Sequence, residues 1–155
     1  MEFRAAKIED ADAICALIQC FTHEFLATPD GQGAELFFES VSVAAESEYI
    51  ANPRYQYRLA FEDDVLAGFI AVRDRSHVFH LFVAQEFQRR GLATQLWQTA
   101  KTTTAALGTI DAFTVNSSPF AQPVYERFGF VRTGPQVEMH GICFVPMRLS
   151  LVPEQ

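Results

Sequence analysis

A short basic loop between a predicted strand and a predicted helix carries the most specific chemistry in the sequence. It reads Gln88-Arg89-Arg90-Gly91-Leu92-Ala93 and is followed by Thr94. The first N–H groups of a helix lack partners and carry partial positive charge, so they attract anions. Small residues at positions 91 and 93 would let a phosphate approach the backbone, while the arginines and the Thr94 hydroxyl add donors. The spacing therefore predicts a cradle for a pyrophosphate-bearing cofactor.

Two better-known nucleotide loops are excluded by the same residues. The stretch lacks the Gly-Lys-Ser/Thr ending of the eight-residue phosphate loop, and it lacks the three glycines of the dinucleotide fingerprint. A charged loop that uses Gly91 only for its turn remains the alternative at this point.

The elements that must position this loop follow from hydrophobic spacing. Apolar residues at positions 14, 17, 18, 21 and 25 share one helical face, and alternation or apolar runs mark the strands. Ser118 is the predicted N-cap and Gly129 the predicted stop of the last helix, while residues 62–64 and 140–141 form hairpin turns. The predicted elements, in chain order, are strand 2–7, helix 10–25, helix 36–44, strands 55–61, 65–72 and 78–83, helix 91–107, strand 110–115, helix 119–128, and strands 130–137 and 142–149. A mixed sheet covered by helices is the natural packing for this order.

Length, composition and charge exclude several classes of protein. The 155 residues, 49% hydrophobic and 20% charged, predict one folded domain over residues 1–155 rather than a disordered chain. Twelve Lys and Arg against nineteen Asp and Glu leave a net charge of −7, which argues against a nucleic-acid partner. No run reaches the ~18 apolar residues of a membrane span, and the acidic N-terminus is unlike a secretory leader. We therefore expect a soluble, cytoplasmic protein with no membrane partner.

The cysteines predict free thiols rather than disulfides or a metal site. Cys15, Cys20 and Cys143 are an odd number in a chain long enough to bury its own core, which is typical of a reducing compartment. Cys20 with His23, and His140 with Cys143, resemble halves of a metal site. However, Cys20 falls within a helical pattern and the other pair straddles a predicted hairpin, so we expect no metal.

Two blocks of the sequence resemble the GNAT superfamily of N-acetyltransferases. The loop Gln88–Ala93 matches that family's Gln/Arg-x-x-Gly-x-Gly/Ala signature. Downstream, Asn116-Ser-Ser-Pro-Phe-Ala121 and Val124-Tyr-Glu-Arg-Phe-Gly-Phe130 are similar to its strand, short helix and Tyr-Glu-x-x-Gly-Phe ending, and Phe3-Arg-Ala-Ala-Lys-Ile-Glu-Asp10 resembles its start. The resemblance covers nearly the whole chain. It implies an α/β (α+β) fold with a mixed, mostly antiparallel sheet of six to seven strands, about four helices on its faces, and splayed central parallel strands.

The resemblance also implies acetyl-CoA as co-substrate, wedged between the strand that ends at Val83 and the strand that ends near Val115. Backbone groups at the end of the first strand would pair with the pantetheine arm, and one N–H there would hold the oxyanion of the tetrahedral intermediate. The N–H groups of the loop would hold the pyrophosphate. The implied cofactor-binding residues are Leu81, Phe82, Val83, Gln88, Arg89, Arg90, Gly91, Leu92, Ala93, Thr94 and Asn116.

Three side chains are candidates for catalysis. By resemblance, Tyr125 would stand near the sulfur and protonate, or hydrogen-bond, the departing thiolate, which suits a phenol because its pKa of ~10 exceeds that of a thiol. The base that deprotonates the amine is left open between His77, His80 and a chain of water molecules. The two histidines are three positions apart, so in a regular strand they would face opposite sides of the sheet. A packed or surface role for each also remains.

The motifs do not name the acceptor. Glu24 and His23, at the end of the first predicted helix, could line its entrance. Phe25, Phe37 and Phe38 could shape an apolar wall, although core packing would also account for them.

The sequence thus predicts an acetyl-CoA-dependent N-acetyltransferase that acts on a primary amine of a small molecule or peptide, by direct attack in a ternary complex. A catalytically silent module that senses acetyl-CoA or CoA is the alternative. A toxin that acetylates aminoacyl-tRNA would share the fold, but the charge of −7 disfavours it. The exposed edge of the last hairpin could pair across a homodimer.

Overall fold

The computed structural model describes residues 1–152 and shows a sheet of eight strands with five α-helices. The predicted domain, residues 1–155, extends three residues beyond this part. The strands are β1 (Glu2–Ala5), β2 (Tyr55–Glu62), β3 (Val65–Arg73), β4 (His77–Val83), β5 (Ala112–Ser117), β6 (Val131–Arg132), β7 (Val137–Met139) and β8 (Ile142–Ser150). The helices are α1 (Ala11–Gln19), α2 (Glu35–Ser40), α3 (Val43–Ala51), α4 (Leu92–Leu107) and α5 (Gln122–Phe128).

The sheet is antiparallel except at its centre. Its order is β1-β2-β3-β4-β5-β8-β6, and β7 also pairs with β8. β4 and β5 run parallel but pair only at His77 with Thr114 and at Val78 with Val115. Beyond these two pairs the strands separate. The mostly antiparallel sheet with a splayed parallel pair is therefore confirmed.

Helices cover both faces of the central strands. Residues 67–72 of β3 are all buried, which requires packing on each side because successive side chains point to opposite faces. α4 packs against β2, β3 and β4, and α1 packs against α3, β3 and β4. Trp97 of α4 lies against Phe113 of β5 and against Phe128 and Phe130 around the end of α5, with ring centroids 4.9–5.6 Å apart. This cluster holds the helix that follows the basic loop in place.

The first predicted helix ends earlier than expected. α1 stops at Gln19, and residues 22–25 form a 3₁₀ turn. The Thr22 hydroxyl donates to the Gln19 carbonyl at 3.3 Å, which gives that terminal carbonyl a partner. Phe21 and Phe25 nevertheless reach the sheet, where their rings lie 5.8 and 6.4 Å from that of Phe82. The apolar pattern was therefore correct for burial and wrong for helix length.

The second predicted helix is two helices. Ser42 interrupts it, because its hydroxyl accepts a hydrogen bond from the Ala45 N–H at 3.1 Å and so caps the start of α3. The Tyr49 hydroxyl donates to the Ser40 carbonyl at the end of α2, at 2.8 Å. This break gives five helices where about four were expected, and the division of predicted strand 130–137 into β6 and β7 gives the eighth strand.

Turn chemistry was predicted well, with one correction. The turns at residues 63–64 and 140–141 have positive φ angles, as two-residue hairpin turns require, and Gly129 ends α5 with a φ of 103°. Ser118 is not the N-cap of α5. Its hydroxyl accepts from the Ala121 N–H at 3.1 Å and closes a turn one step earlier, so Ala121 takes the cap position.

The β7–β8 hairpin is fastened to the loop that precedes α2. The Ala27 N–H donates to the Gly141 carbonyl at 2.9 Å, and Leu26 forms a bridge with Ile142. A Cβ at Gly141 would lie 2.5 Å from the Ala34 nitrogen, so this contact requires glycine. β8 pairs with β5 along one edge and with β6 and β7 along the other, so the edge left for a second copy belongs to those two short strands.

Candidate active site

A cavity of about 570 Å³ opens where β4 and β5 separate. The catalytic candidates Tyr125, His77 and His80 all line it. So do all but one of the predicted cofactor-binding residues: Leu81, Phe82, Val83, Gln88, Arg89, Gly91, Leu92, Ala93, Thr94 and Asn116. The fold therefore gathers groups from two strands, a loop and two helices around one space.

The basic loop leaves open space in front of the first turn of α4. Arg89 and Gly91 take left-handed conformations with φ of 64° and 78°. A Cβ at Gly91 would meet no atom within 4 Å, so the space in front of this residue is open. The first hydrogen bond of α4 runs from the Gln95 N–H to the Gly91 carbonyl. The N–H groups of residues 92–94 therefore have no partner within the helix. The Gln88 side chain donates to the Val83 carbonyl at 3.0 Å, which ties the loop to the end of β4.

Arg90 is the predicted cofactor residue that lies outside the cavity lining. Its guanidinium stands 5.5 Å from the centre of the Phe87 ring and 3.9 Å from the Glu62 carboxylate. The structure thus separates the two arginines, with Arg89 toward the cavity and Arg90 toward the β2–β3 hairpin.

Tyr125 is buried at the wall of the cavity. It is 5% exposed, and its ring meets Phe128 and Phe130 edge-on. Burial raises the pKa of its phenol, so the group stays protonated at neutral pH. A neutral phenol in this position can donate a hydrogen bond or a proton.

His77 joins the two parallel strands where they still pair. Its Nδ1 lies 2.8 Å from the Thr114 hydroxyl oxygen on β5. Burial, with a smaller contribution from the Arg73 guanidinium, lowers the pKa of His77 to about 4. The imidazole is therefore neutral at neutral pH and a weak acceptor of a further proton.

His80 follows a β-bulge that the sequence did not reveal. Ala71 of β3 pairs with His80 and Val72 pairs with Val78, so Phe79 is an extra residue in β4. The rings of Phe79 and His80 consequently lie together, with centroids 4.1 Å apart, although neighbours in a regular strand point to opposite faces. The alternation assumed in comparing His77 with His80 is wrong for this reason.

Two residues at this site were missed by the sequence analysis. Glu46 of α3 is 0% exposed; its Oε2 lies 3.0 Å from His80 Nε2, and its Oε1 accepts a hydrogen bond from the Tyr57 hydroxyl at 2.7 Å. Burial and the carboxylate raise the pKa of Tyr57 far above its usual value. The available signal was an acid at an apolar position of a helix, with Tyr49 and Ile50 following at +3 and +4.

Some of the residues predicted to lie at the acceptor end line the cavity. Phe25, Phe37 and Glu24 line the cavity, and burial raises the pKa of the Glu24 carboxyl. His23 does not line it, and Phe38 is 42% exposed and stands outside it. The apolar lining at this end also includes Ile18, Phe21, Val41 and Phe82.

The three cysteines do not pair with one another within residues 1–152. Cys15, Cys20 and Cys143 are free, and Cys15 and Cys143 are buried, with sulfurs 3.2 and 3.8 Å from the carbonyl oxygens of Val41 and Leu26. The described residues contain no group of three or more His, Cys, Asp or Glu arranged to hold a metal ion. None of the helices in this part of the chain has the length and apolar character needed to cross a bilayer.

The family model described as the acetyltransferase (GNAT) domain matches residues 25–151. The chain belongs to the GNAT acetyltransferase family. Acetyl transfer is thus the general chemistry that the family match supports. No curated protein matches the chain in sequence.

Solved structures of this family share the fold across the whole chain. PaiA N-acetyltransferase from Thermoplasma acidophilum, solved in complex with coenzyme A, superposes with a TM-score of 0.73 at 18% identity, over 96% of this chain and 98% of its own. YncA from Salmonella typhimurium, solved with its cofactor acetyl-CoA, superposes with a TM-score of 0.71 at 18% identity, over 100% of this chain and 96% of its own. The aminoglycoside 6'-N-acetyltransferase from Enterococcus faecium superposes with a TM-score of 0.69 at 15% identity, over 100% of this chain and 99% of its own.

Proposed function

We propose that this protein is a cytoplasmic, single-domain N-acetyltransferase that moves an acetyl group from acetyl-CoA to a primary amine of a small molecule or peptide. The observation that carries the proposal is the open gap between β4 and β5, which ends at the Gly91 loop and contains Tyr125. The amine attacks directly in a ternary complex. The sites of the fold relatives that bind coenzyme A or acetyl-CoA support the choice of cofactor.

Acetyl-CoA is held by backbone more than by side chains in this proposal. The free edge of β4 at Leu81, Phe82 and Val83 pairs with the pantetheine arm, and Asn116 contacts that arm from β5. The pyrophosphate binds the N–H groups at the start of α4, where the open space in front of Gly91 leaves room for it. An N–H of β4 holds the developing oxyanion.

Tyr125 is the acid. When the C–S bond breaks, the thiolate takes the phenolic proton, and the raised pKa of Tyr125 keeps that proton in place until the thiolate forms.

His80 is the base, in preference to His77. The pKa of about 4 and the hydrogen bond to Thr114 make His77 a poor proton acceptor at neutral pH. His80 removes a proton from the acceptor ammonium, and the free amine nitrogen attacks the thioester carbonyl carbon to form the C–N bond. The second proton of that nitrogen leaves as the amide forms and replaces the proton that Tyr125 gave to the CoA sulfur. The proton that His80 accepted passes to solvent.

The acceptor end favours an amine with an apolar body. Phe21, Phe25 and Phe37 supply an aromatic wall, and Glu24 supplies an acidic group that suits an ammonium ion. The net charge of −7 agrees with a cationic substrate and disfavours nucleic acid.

Calorimetric titration with acetyl-CoA and with CoA tests the cofactor site. We expect saturable binding that Arg89→Ala weakens by about 10-fold or more, since hydrogen bonds to charged groups contribute about 1.5–3 kcal/mol. Arg90→Ala is the matched control, because it removes the same charge from a side chain outside the cavity lining. No binding at millimolar acetyl-CoA would overturn the proposal. Binding without acetylation of any amine would favour the sensor.

A further inference from the structure

Glu46 is an ionisable side chain in the core whose position needs an explanation. A carboxylate removed from water is costly unless hydrogen bonds compensate it, and Glu46 is 0% exposed. Its two partners come from β2 and β4, Tyr57 at 2.7 Å on one oxygen and His80 at 3.0 Å on the other. The three side chains thus form a hydrogen-bonded array centred on Glu46, and His80 is the member that lines the cavity.

The array determines which nitrogen of His80 carries the proton. Tyr57 remains a protonated donor to Oε1. Oε2 then needs a donor of its own, and the His80 Nε2–H is the group placed to supply it. With that proton on Nε2, the Nδ1 lone pair is the free one. The structure gives Nδ1 no hydrogen-bond partner within residues 1–152, and the side chain that carries it lines the cavity.

We propose that Glu46 is a positioning residue of the reaction, which holds His80 as the Nε2–H tautomer so that Nδ1 accepts the proton of the acceptor ammonium. This inference rests on the proposed function, in which His80 is the base. Once Nδ1 has taken the proton, the imidazolium stands beside the Glu46 carboxylate, which stabilises the positive charge. When that proton leaves to solvent, the neutral Nε2–H form is restored.

A purely structural array would make a different prediction. Glu46 would then serve only to hold α3 against the sheet, and the reaction would not depend on which tautomer His80 adopts. Glu46→Gln separates the two roles, since its size is nearly unchanged. Its amide oxygen still accepts from Tyr57, but its NH₂ group donates to His80 Nε2 and so moves the imidazole proton to Nδ1.

The tautomer can be read without any turnover. In ¹⁵N NMR of the whole protein, with His80 assigned through a His80→Asn variant, we expect the Nε2–H form in the wild type and the Nδ1–H form in Glu46→Gln. Tyr57→Phe is the matched control, because it removes the other hydrogen bond to the same carboxylate and should leave the Nε2–H form. A wild-type protein with the proton on Nδ1 would overturn the inference, even if Glu46→Gln failed to fold.

Kinetics tests the catalytic part, with acetyl-CoA and 2-phenylethylamine as the probe amine suited to the aromatic wall. We expect kcat to fall about 100-fold or more in Glu46→Gln, with unchanged acetyl-CoA affinity, and to change by only a few-fold in Tyr57→Phe. Wild-type turnover that Glu46→Gln leaves intact would refute the inference and leave the proposed function standing. Absence of acetyl-CoA binding in the wild type would instead refute the proposed function.

Discussion

Two glycines with the same backbone angle offer a matched test of the contact that fastens the β7–β8 hairpin. Gly91 and Gly141 both have a φ of 78°. A Cβ added at Gly91 would meet nothing within 4 Å, whereas one added at Gly141 would lie 2.5 Å from the backbone of Gly33 and Ala34. Alanine therefore brings the same conformational strain to both positions and a steric overlap to only one.

The magnitudes follow from these contacts. A left-handed alanine costs about 1–2 kcal/mol, and the reduced entropy of the unfolded chain offsets about 0.4–1 kcal/mol of that, so Gly91→Ala should lower stability by about 1 kcal/mol. Gly141→Ala carries the same cost. In addition, the hairpin must move off the loop, with loss of the hydrogen bond from the Ala27 N–H, worth about 1 kcal/mol, and repacking of about 1–3 kcal/mol. We expect a total of about 3–5 kcal/mol.

Thermal unfolding followed by circular dichroism is the assay. For a chain of 155 residues, about 2–4 °C of melting temperature corresponds to 1 kcal/mol, so the variants should melt about 3 °C and about 10 °C below the wild type. Acetyl-CoA affinity should fall in Gly91→Ala. In Gly141→Ala the KM of the amine should rise instead, because the displaced loop leads into α2 and its Phe37. Equal melting temperatures for the two variants would refute the steric argument.

Two further predictions concern the catalytic candidates. Tyr125→Phe removes only the hydroxyl, so the rate of CoA release should fall about 100-fold. The affinity for acetyl-CoA measured by calorimetry should be unchanged. Release of CoA at the wild-type rate would exclude the acid role. The pKa of His77 is about 4 in the folded protein and 6.5 when unperturbed. Between pH 4 and pH 6.5 the unfolded state therefore binds more protons than the folded state, and the free energy of unfolding falls as the pH is lowered. Urea unfolding from pH 4.5 to 7 should show a shallower fall for His77→Gln, and identical slopes would contradict the assignment.

The sequence predicted the order of the elements because each has a local cause. Alternation in β2, the continuous apolar run of β3, helical spacing in α4, and glycine at the end of α5 are all signals within a few residues. The positions of the Gly91 loop before α4 and of Tyr125 on α5 were also predictable, since the two family blocks fix their distance from neighbouring elements. The boundaries that failed, at Gln19 and Ser42, depend on single side-chain hydrogen bonds that compete with helix continuation.

The proton-transfer side of the site was beyond local reasoning. Glu46 is 11 residues from Tyr57 and 34 from His80, and only the packing of α3 on the sheet brings them together. The bulge at Phe79 is likewise a property of the pairing between β3 and β4. A count of alternating positions that ignores the bulge places His77 and His80 on opposite faces of the sheet.

The splayed strands also bear on how the cofactor affects the lifetime of the protein. The two halves of the sheet, β1–β4 and β5–β8, share only two residue pairs. In the proposed complex the pantetheine arm supplies backbone-like pairing along the remainder of β4, so binding is linked to unfolding. Acetyl-CoA at a hundredfold excess over its Kd would add about 2.7 kcal/mol to the free energy of unfolding. The abundance of the folded protein in the cell would then follow the combined supply of acetyl-CoA and CoA, which share the pantetheine arm, through slower proteolysis when they are plentiful.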